Sequence, residues 1–220
     1  VPSFTTVLRT EADLRARFRA PSSLALAKEI DRLDHHCRNV IACSPFVLVG
    51  TRNGDGTADV SPKGGPPGFV RVLDERTLAI GELPGNNRLD TFRNVIADPA
   101  IGLLFLVPGV GEALRVSGTG VVVADDEVLE ATAVDGRRPK VALVVEVRKA
   151  FVHCAKAVRR SGLWDPSSWP DTAVLGPTVC MFADHAGLPA DSPVRDPARM
   201  EAAYEATMWV DPADGAGPAR

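Results

Sequence analysis

Residues 57–94 read TADVSPKGGPPGFVRVLDERTLAIGELPGNNRLDTFRN. Two short strand-like runs flank a Gly/Pro-dense loop at 61–68, and a second loop, 83–88, opens directly onto an amphipathic helix. A loop of this composition can aim backbone N–H groups, the amides of Asn86 and Asn87 and the guanidinium of Arg88 at one place. The positive end of a helix dipole then lies behind them. Lys63 adds a point charge from the preceding strand end, beside two glycines that permit close backbone approach. The expected ligand is a phosphate ester. The order GxxxxGK[ST] is missing and there is no GxGxxG, so neither a P-loop nor a dinucleotide fingerprint supplies it.

Working outward, the flanking segments are extended. A branched and aromatic run at 46–51, the turn Asn53-Gly54-Asp55-Gly56 and a return strand at 57–62 predict one hairpin. Runs at 69–73 and 77–81 predict a second. A helix over 88–97 would turn Leu89, Phe92, Val95 and Ile96 inward and stop at Asp98-Pro99. Strands follow at 101–107, at 113–124 with Gly118 and Gly120 marking a bulge or corner, and at 140–153. A helix is expected at 125–133. About seven strands in hairpins under a few helices suggest a small closed or half-closed barrel, because closure removes exposed edges.

Before this sheet, Thr10 is read as a helix cap with Asp13 three residues on. Leu26, Ile30, Leu33, Cys37 and Val40 form one stripe that predicts a helix running from Ser23. After it, a basic helical turn at 155–161 and helices near 171–185 and 196–209 are expected, with a Pro/Gly/Ala tail at 211–220 read as disordered. The division is an N-terminal helical arm at 1–24, a barrel domain at 25–170 and a C-terminal helical extension with tail at 171–220.

Across the 220 residues, 45% hydrophobic content allows a sizeable core, and a net charge of −3 argues against a general nucleic-acid binder. No apolar run approaches the roughly 20 residues of a membrane span, and no signal-like N-terminus is read, so a cytoplasmic protein is expected. Cys37, Cys43, Cys154 and Cys180 include no CxxC pair and are read as reduced thiols.

Other chemistry-bearing residues are less organised. His35, His36 and Cys37, with Cys43, His153 and Cys154, allow a zinc or haem site to be imagined, but the spacing fits no standard zinc module and no metal is expected. Trp164, Trp169 and Trp209 are read as anchors of an arm, with stacking of Trp164 beside an aromatic cofactor as the sharper alternative. Ser61 and Ser117 lack a nucleophile elbow, and no residues are assigned to catalysis. An enzyme of this sequence would rely on a cofactor.

The order of these features, with Ser61-Pro62-Lys63-Gly64-Gly65, Pro84-Gly85-Asn86-Asn87-Arg88-Leu89-Asp90, Leu114-Arg115-Val116-Ser117-Gly118, His153-Cys154-Ala155-Lys156 and Arg160-Ser161-Gly162-Leu163-Trp164-Asp165-Pro166, resembles the pyridoxamine 5′-phosphate oxidase-like flavin split-barrel family. The likeness is greatest to its bacterial branch of FMN-dependent enzymes of unassigned function and covers roughly 25–170. The resemblance implies a mainly β (α+β) fold, a six-stranded antiparallel split β-barrel with flanking helices. It implies a homodimer with two FMN molecules at the subunit interface. Asp59, Val60, Ser61, Pro62 and Lys63 would line the flavin and help hold its phosphate, Ile80 and Gly81 would lie along it, and Asn86, Asn87 and Arg88 would bind phosphate. Arg115 and Trp164 complete the expected set. Where the oxidases carry Arg-Lys at the helix start, this chain has Arg88-Leu89. Where they carry a glutamine on the long strand, it has Ala113. It shows no counterpart of their C-terminal substrate-binding arginine motif. The expectation is therefore an FMN-dependent oxidoreductase acting on an unidentified small molecule, with a flavin- or haem-binding carrier or sensor, or a deazaflavin-dependent reductase, as alternatives.

Overall fold

Burial alternates along the first strand. Val47, Val49 and Thr51 of β1 (Phe46–Arg52) are buried, and the residues between them are partly exposed. This period of two puts one face of the strand on the core. The computed structural model describes residues 3–212. Within them, α1 (Glu11–Arg15), α2 (Ser23–Ala27) and α3 (His35–Cys43) precede β1. Then come β2 (Ala58–Gly64), β3 (Val70–Val72), β4 (Thr77–Gly81), α4 (Asp90–Ala97), β5 (Ala100–Leu106) and β6 (Ala113–Val123). The chain continues through α5 (Asp126–Ala131), β7 (Ala142–His153), α6 (Lys156–Ser161), α7 (Thr178–His185) and α8 (Pro197–Thr207).

Every pairing is antiparallel, in the order β2-β1-β5-β6-β7-β4-β3. The sheet thus has the seven strands read from the residues, one more than the six the resemblance implies; the class, an antiparallel split barrel with flanking helices, is as expected. Laid flat at about 4.8 Å per strand, β2 and β4 would lie roughly 24 Å apart, five steps along the order. Lys63 at the end of β2 instead reaches Glu82, just beyond β4, at 2.8 Å. The sheet therefore curls until its two edges face each other across a seam that no backbone ladder closes among the described residues. The bend is assisted at Ser117/Gly118, where the β6–β7 register slips. A Cβ on Gly118 would collide with the Glu146 carbonyl, so that corner requires glycine.

The core inside the curl is aliphatic. Val47, Val49, Leu78, Ile80, Leu103, Phe105, Leu114, Val116, Leu143 and Val145 are at most 2% exposed, and Leu33, Cys37 and Ile41 close one end. Burying each large side chain contributes about 1.5–3 kcal/mol. The stripe from Leu26 to Val40 does not form one helix. Ile30 leaves the helical path to exchange backbone hydrogen bonds with Ala150, the Leu33 N–H donates to the Glu75 carbonyl, and Asp34 starts α3 afresh by accepting from the Cys37 N–H at 2.9 Å. Pairing with the sheet outweighs helical periodicity here. On α4, Phe92 and Val95 are buried as expected, whereas Leu89 precedes the helix and Ile96 is 75% exposed. Thr10 and Asp13 form the expected capping box. The tail expected to be disordered falls mostly outside the described residues; Asp211 is described, and its carboxylate lies 2.8 Å from Lys140.

Candidate functional site

The seam between the sheet edges holds the candidate site. Residues directly opposite in an antiparallel pair share a face. Asp59, Ser61 and Lys63 of β2 stand opposite Thr51, Val49 and Val47 of β1 and so point to the core side. Val60 and Pro62 alternate outward, and Val60 is 62% exposed. Ser61, Lys63, Gly81, Asn86, Asn87 and Arg88 line one cavity of about 300 Å³, to which Pro62 also contributes. The hairpins and the loop before α4 thus bring together groups from both sides of the seam.

The loop is strained where it matters. Asn87 and Leu89, on either side of Arg88, hold positive φ of 55° and 58°. Asparagine tolerates that conformation and leucine does not readily do so. Leu89 is also the N-cap of α4 and gives no side-chain cap, and Thr91 of the first turn lines the cavity. The Asn86 side chain instead accepts from the Arg88 backbone N–H at 3.1 Å. A helix N-terminus left uncapped beside a cavity favours an anion.

Both cations already have carboxylate partners. Lys63 Nζ donates to Glu82 Oε2 at 2.8 Å and lies 5.1 Å from the centre of the Phe92 ring. Arg88 Nε donates to Asp90 Oδ2 at 2.7 Å, and that hydrogen bond pushes the Arg88 pKa above its already high ordinary value. The Arg88 side chain is 71% exposed, so its pair is solvent-screened and readily exchanged. The Lys63–Glu82 pair, 22% exposed on each side, is held more firmly. Glu82 and Asp90 thus set a carboxylate beside each cation at the cavity wall. Neither carboxylate was singled out from the sequence, because each pairing depends on how the chain folds around the seam or turns into α4.

Of the remaining expected site residues, Gly81 lines this cavity and the others lie elsewhere in the chain. Asp59 accepts from Asn94 Nδ2 at 3.2 Å, and the same amide donates to Thr51 at 3.0 Å, which ties β2 and β1 to α4. Ile80 is 2% exposed and belongs to the core. Gly81 lines the cavity, and a Cβ there would press on Pro139 at 2.9 Å. Arg115 sits in a row of paired residues, Pro62, Leu48, Leu104, Arg115 and Phe151, on the outer face of the sheet, with its guanidinium carbon 5.7 Å from the Phe151 ring centre. Trp164 donates its indole N–H to the Val110 carbonyl at 2.8 Å and so braces the turn between β5 and β6. The tryptophan near the site is Trp209, which borders a neighbouring cavity sharing Glu82, Leu83 and Asn87 with the first. Among the described residues no His, Cys, Asp and Glu side chains gather in a group that could hold a metal ion, and no helix is long and apolar enough to cross a membrane.

The family profile for pyridoxamine 5′-phosphate oxidase matches residues 33–154, from the approach to α3 through all seven strands. The chain belongs to the pyridoxamine 5′-phosphate oxidase family. No curated protein matches it. Among solved structures, HupZ of Group A Streptococcus is similar at 20% identity, covering 54% of this chain and 92% of its own, with a TM-score of 0.45. A Lactobacillus delbrueckii protein named for pyridoxamine 5′-phosphate oxidase is similar at 22% identity, covering 56% and 95%, with a TM-score of 0.44. An FMN-binding protein of Syntrophomonas wolfei is similar at 12% identity, covering 52% and 86%, with a TM-score of 0.39. These likenesses are too distant to carry an argument about chemistry.

Proposed function

We propose that this member of the family is an FMN-dependent oxidoreductase acting on a small organic molecule as a cytoplasmic homodimer. The observation that carries the reading is the convergence of Lys63, Arg88, Asn86, Asn87 and the start of α4 on one seam cavity. That donor set fits a phosphate monoester: two cations, two amides and a helix N-terminus face the same space. When bound, the flavin supplies hydride or electron transfer; the protein supplies binding, orientation and electrostatics. Lys63 and Arg88 hold the phosphate, Gly81 allows close backbone approach, and Ser61 lies further along the same wall. Glu82 is released from Lys63 on binding and remains as a fixed negative charge at the cavity edge.

Homodimer formation is supported by the outer face of β1, β5 and β7. Leu48 and Leu104 pair there without full burial, Phe46 is 37% exposed, and Val60 stands at the margin. A second copy on this face would cover that apolar surface and bring the Arg115 row into an interface.

The deciding experiment is an absorption spectrum of the purified chain before and after FMN is added and removed by desalting, followed by titration. Retention of flavin bands, and an Arg88→Ala variant binding FMN at least about tenfold more weakly, are the expected results. A colourless protein that FMN does not saturate rules the reading out and directs the same assay to deazaflavin or haem.

A further inference from the structure

The loop residues Leu83, Pro84 and Gly85 wall the phosphate cavity on one side and two further cavities on the other. One, of about 440 Å³, lies between Leu83, Leu89, Val141 and Trp209. The second, of about 810 Å³ and more open, lies between Pro66, Tyr204, Met208 and Trp209. Besides that loop, Trp209 borders both. It packs against the barrel core yet keeps part of its indole exposed, while Tyr204 and Met208 beside it are 48% and 53% exposed. A Lys140–Asp211 ion pair at 2.8 Å and the Arg137 guanidinium 5.8 Å from the indole centre hold this C-terminal strap in place.

We infer that the chamber these two cavities form around Trp209 binds a planar, uncharged, largely apolar small molecule stacked on its indole, next to the seam cavity. Each of its two parts, at about 440 and 810 Å³, falls within the roughly 300–1,000 Å³ of small-molecule sites. Its lining is mostly apolar, and incompletely buried aromatic and thioether side chains in a concave wall gain by excluding water. The walls carry charges of both signs, Glu82, Asp135, Glu201 and Asp211 beside Arg137, Arg138 and Lys140, so neither sign of ligand charge is favoured and an uncharged ligand gives up least hydration on entering. The concave shape, walled by the same loop that borders the phosphate cavity, suits a small molecule better than a partner chain. That this occupant is the substrate rests on the flavin reading; that the chamber binds it does not.

The test is calorimetric titration of the full chain, with and without FMN, using neutral naphthylacetamide and anionic naphthylacetate as probes. The amide is expected to bind with Kd below about 100 µM and the acetate at least about fivefold more weakly. Trp209→Ala should weaken the amide at least about tenfold, and Tyr204→Ala and Met208→Ala, at half-exposed positions that do not support the core, by about threefold each. Affinity for FMN should stay within about twofold in all three variants. No binding of the amide at about 1 mM, equal binding by all variants, or tighter binding of the acetate overturns the inference. Trp209-dependent binding of the amide by a chain that does not bind FMN upholds the chamber and removes the flavin reading.

Discussion

Glu82 is the residue whose pairing bears most directly on the proposed phosphate site. In the free chain it neutralises Lys63, so any phosphate must compete with a carboxylate held at 2.8 Å. Removing that competitor while keeping its shape should help the ligand. Glu82→Gln is expected to tighten FMN binding by about threefold or more, and Lys63→Ala to weaken it by about tenfold, both read by quenching of flavin fluorescence. Unchanged affinity in Glu82→Gln would show that Lys63 does not turn from Glu82 to the ligand. Cys37 makes a second residue-scale point. Burial, with the hydrogen bond to Asp34 adding to it, pushes its thiol up to about 11, while Cys43 and Cys154 are exposed. At about pH 8, aromatic disulfide titration of the native protein should label Cys43 and Cys154 rapidly and leave Cys37 unmodified until the chain is unfolded. Stability linked to this thiol is fully present below its unfolded value of 9.0 and declines as pH rises towards 11.

At the scale of elements, the start of α3 is a local decision with a measurable cost. Asp34 accepts from the Cys37 N–H at 2.9 Å, and that bond lowers its carboxyl pKa below the usual 3.8. Replacing it by alanine should cost about 1 kcal/mol in urea unfolding at neutral pH. A depressed carboxyl stabilises above its unfolded pKa and stops doing so as pH falls through its folded one. The difference between wild type and Asp34→Ala should therefore shrink below 3.8; a pH-independent difference would mean that the charge does not matter to the cap. The β6–β7 corner is less forgiving. A methyl group at Gly118 meets the Glu146 carbonyl, a rigid backbone atom, so Gly118→Ala should lower stability by about 2 kcal/mol or more.

For the whole molecule, the apolar row on the outer sheet face predicts assembly. Leu104, opposite Leu48 and beside Arg115, is the central position. Leu104→Lys should halve the mass seen in sedimentation and leave the circular dichroism of the sheet intact, because the side chain points away from the core. A wild-type chain that sediments as a monomer would remove the dimer reading. The C-terminal third also belongs to this scale: α8 and Trp209 face the 83–86 loop of their own chain, so the outer wall of the neighbouring chamber is supplied in cis.

The sequence by itself determined what short-range chemistry determines. Branched and aromatic runs set the strands, Asn53-Gly54-Asp55-Gly56 set the first hairpin, Gly118 marked the corner, and the loop before α4 placed Asn86, Asn87 and Arg88 side by side, each through a preference acting within a few residues. The tertiary structure decided what depends on distant segments meeting. Closing the sheet put Glu82 on Lys63, pairing with Ala150 broke the helix expected through Ile30, and strand alternation sent Arg115 to the outer face. Folding back of the C-terminal strap chose Trp209 over Trp164 as the aromatic wall near the site. Hydrogen bonds join groups 19 and 124 positions apart, Lys63 to Glu82 and Lys28 to the Val152 carbonyl. No local propensity fixes such contacts; they follow from the one curl of the sheet that buries the aliphatic core.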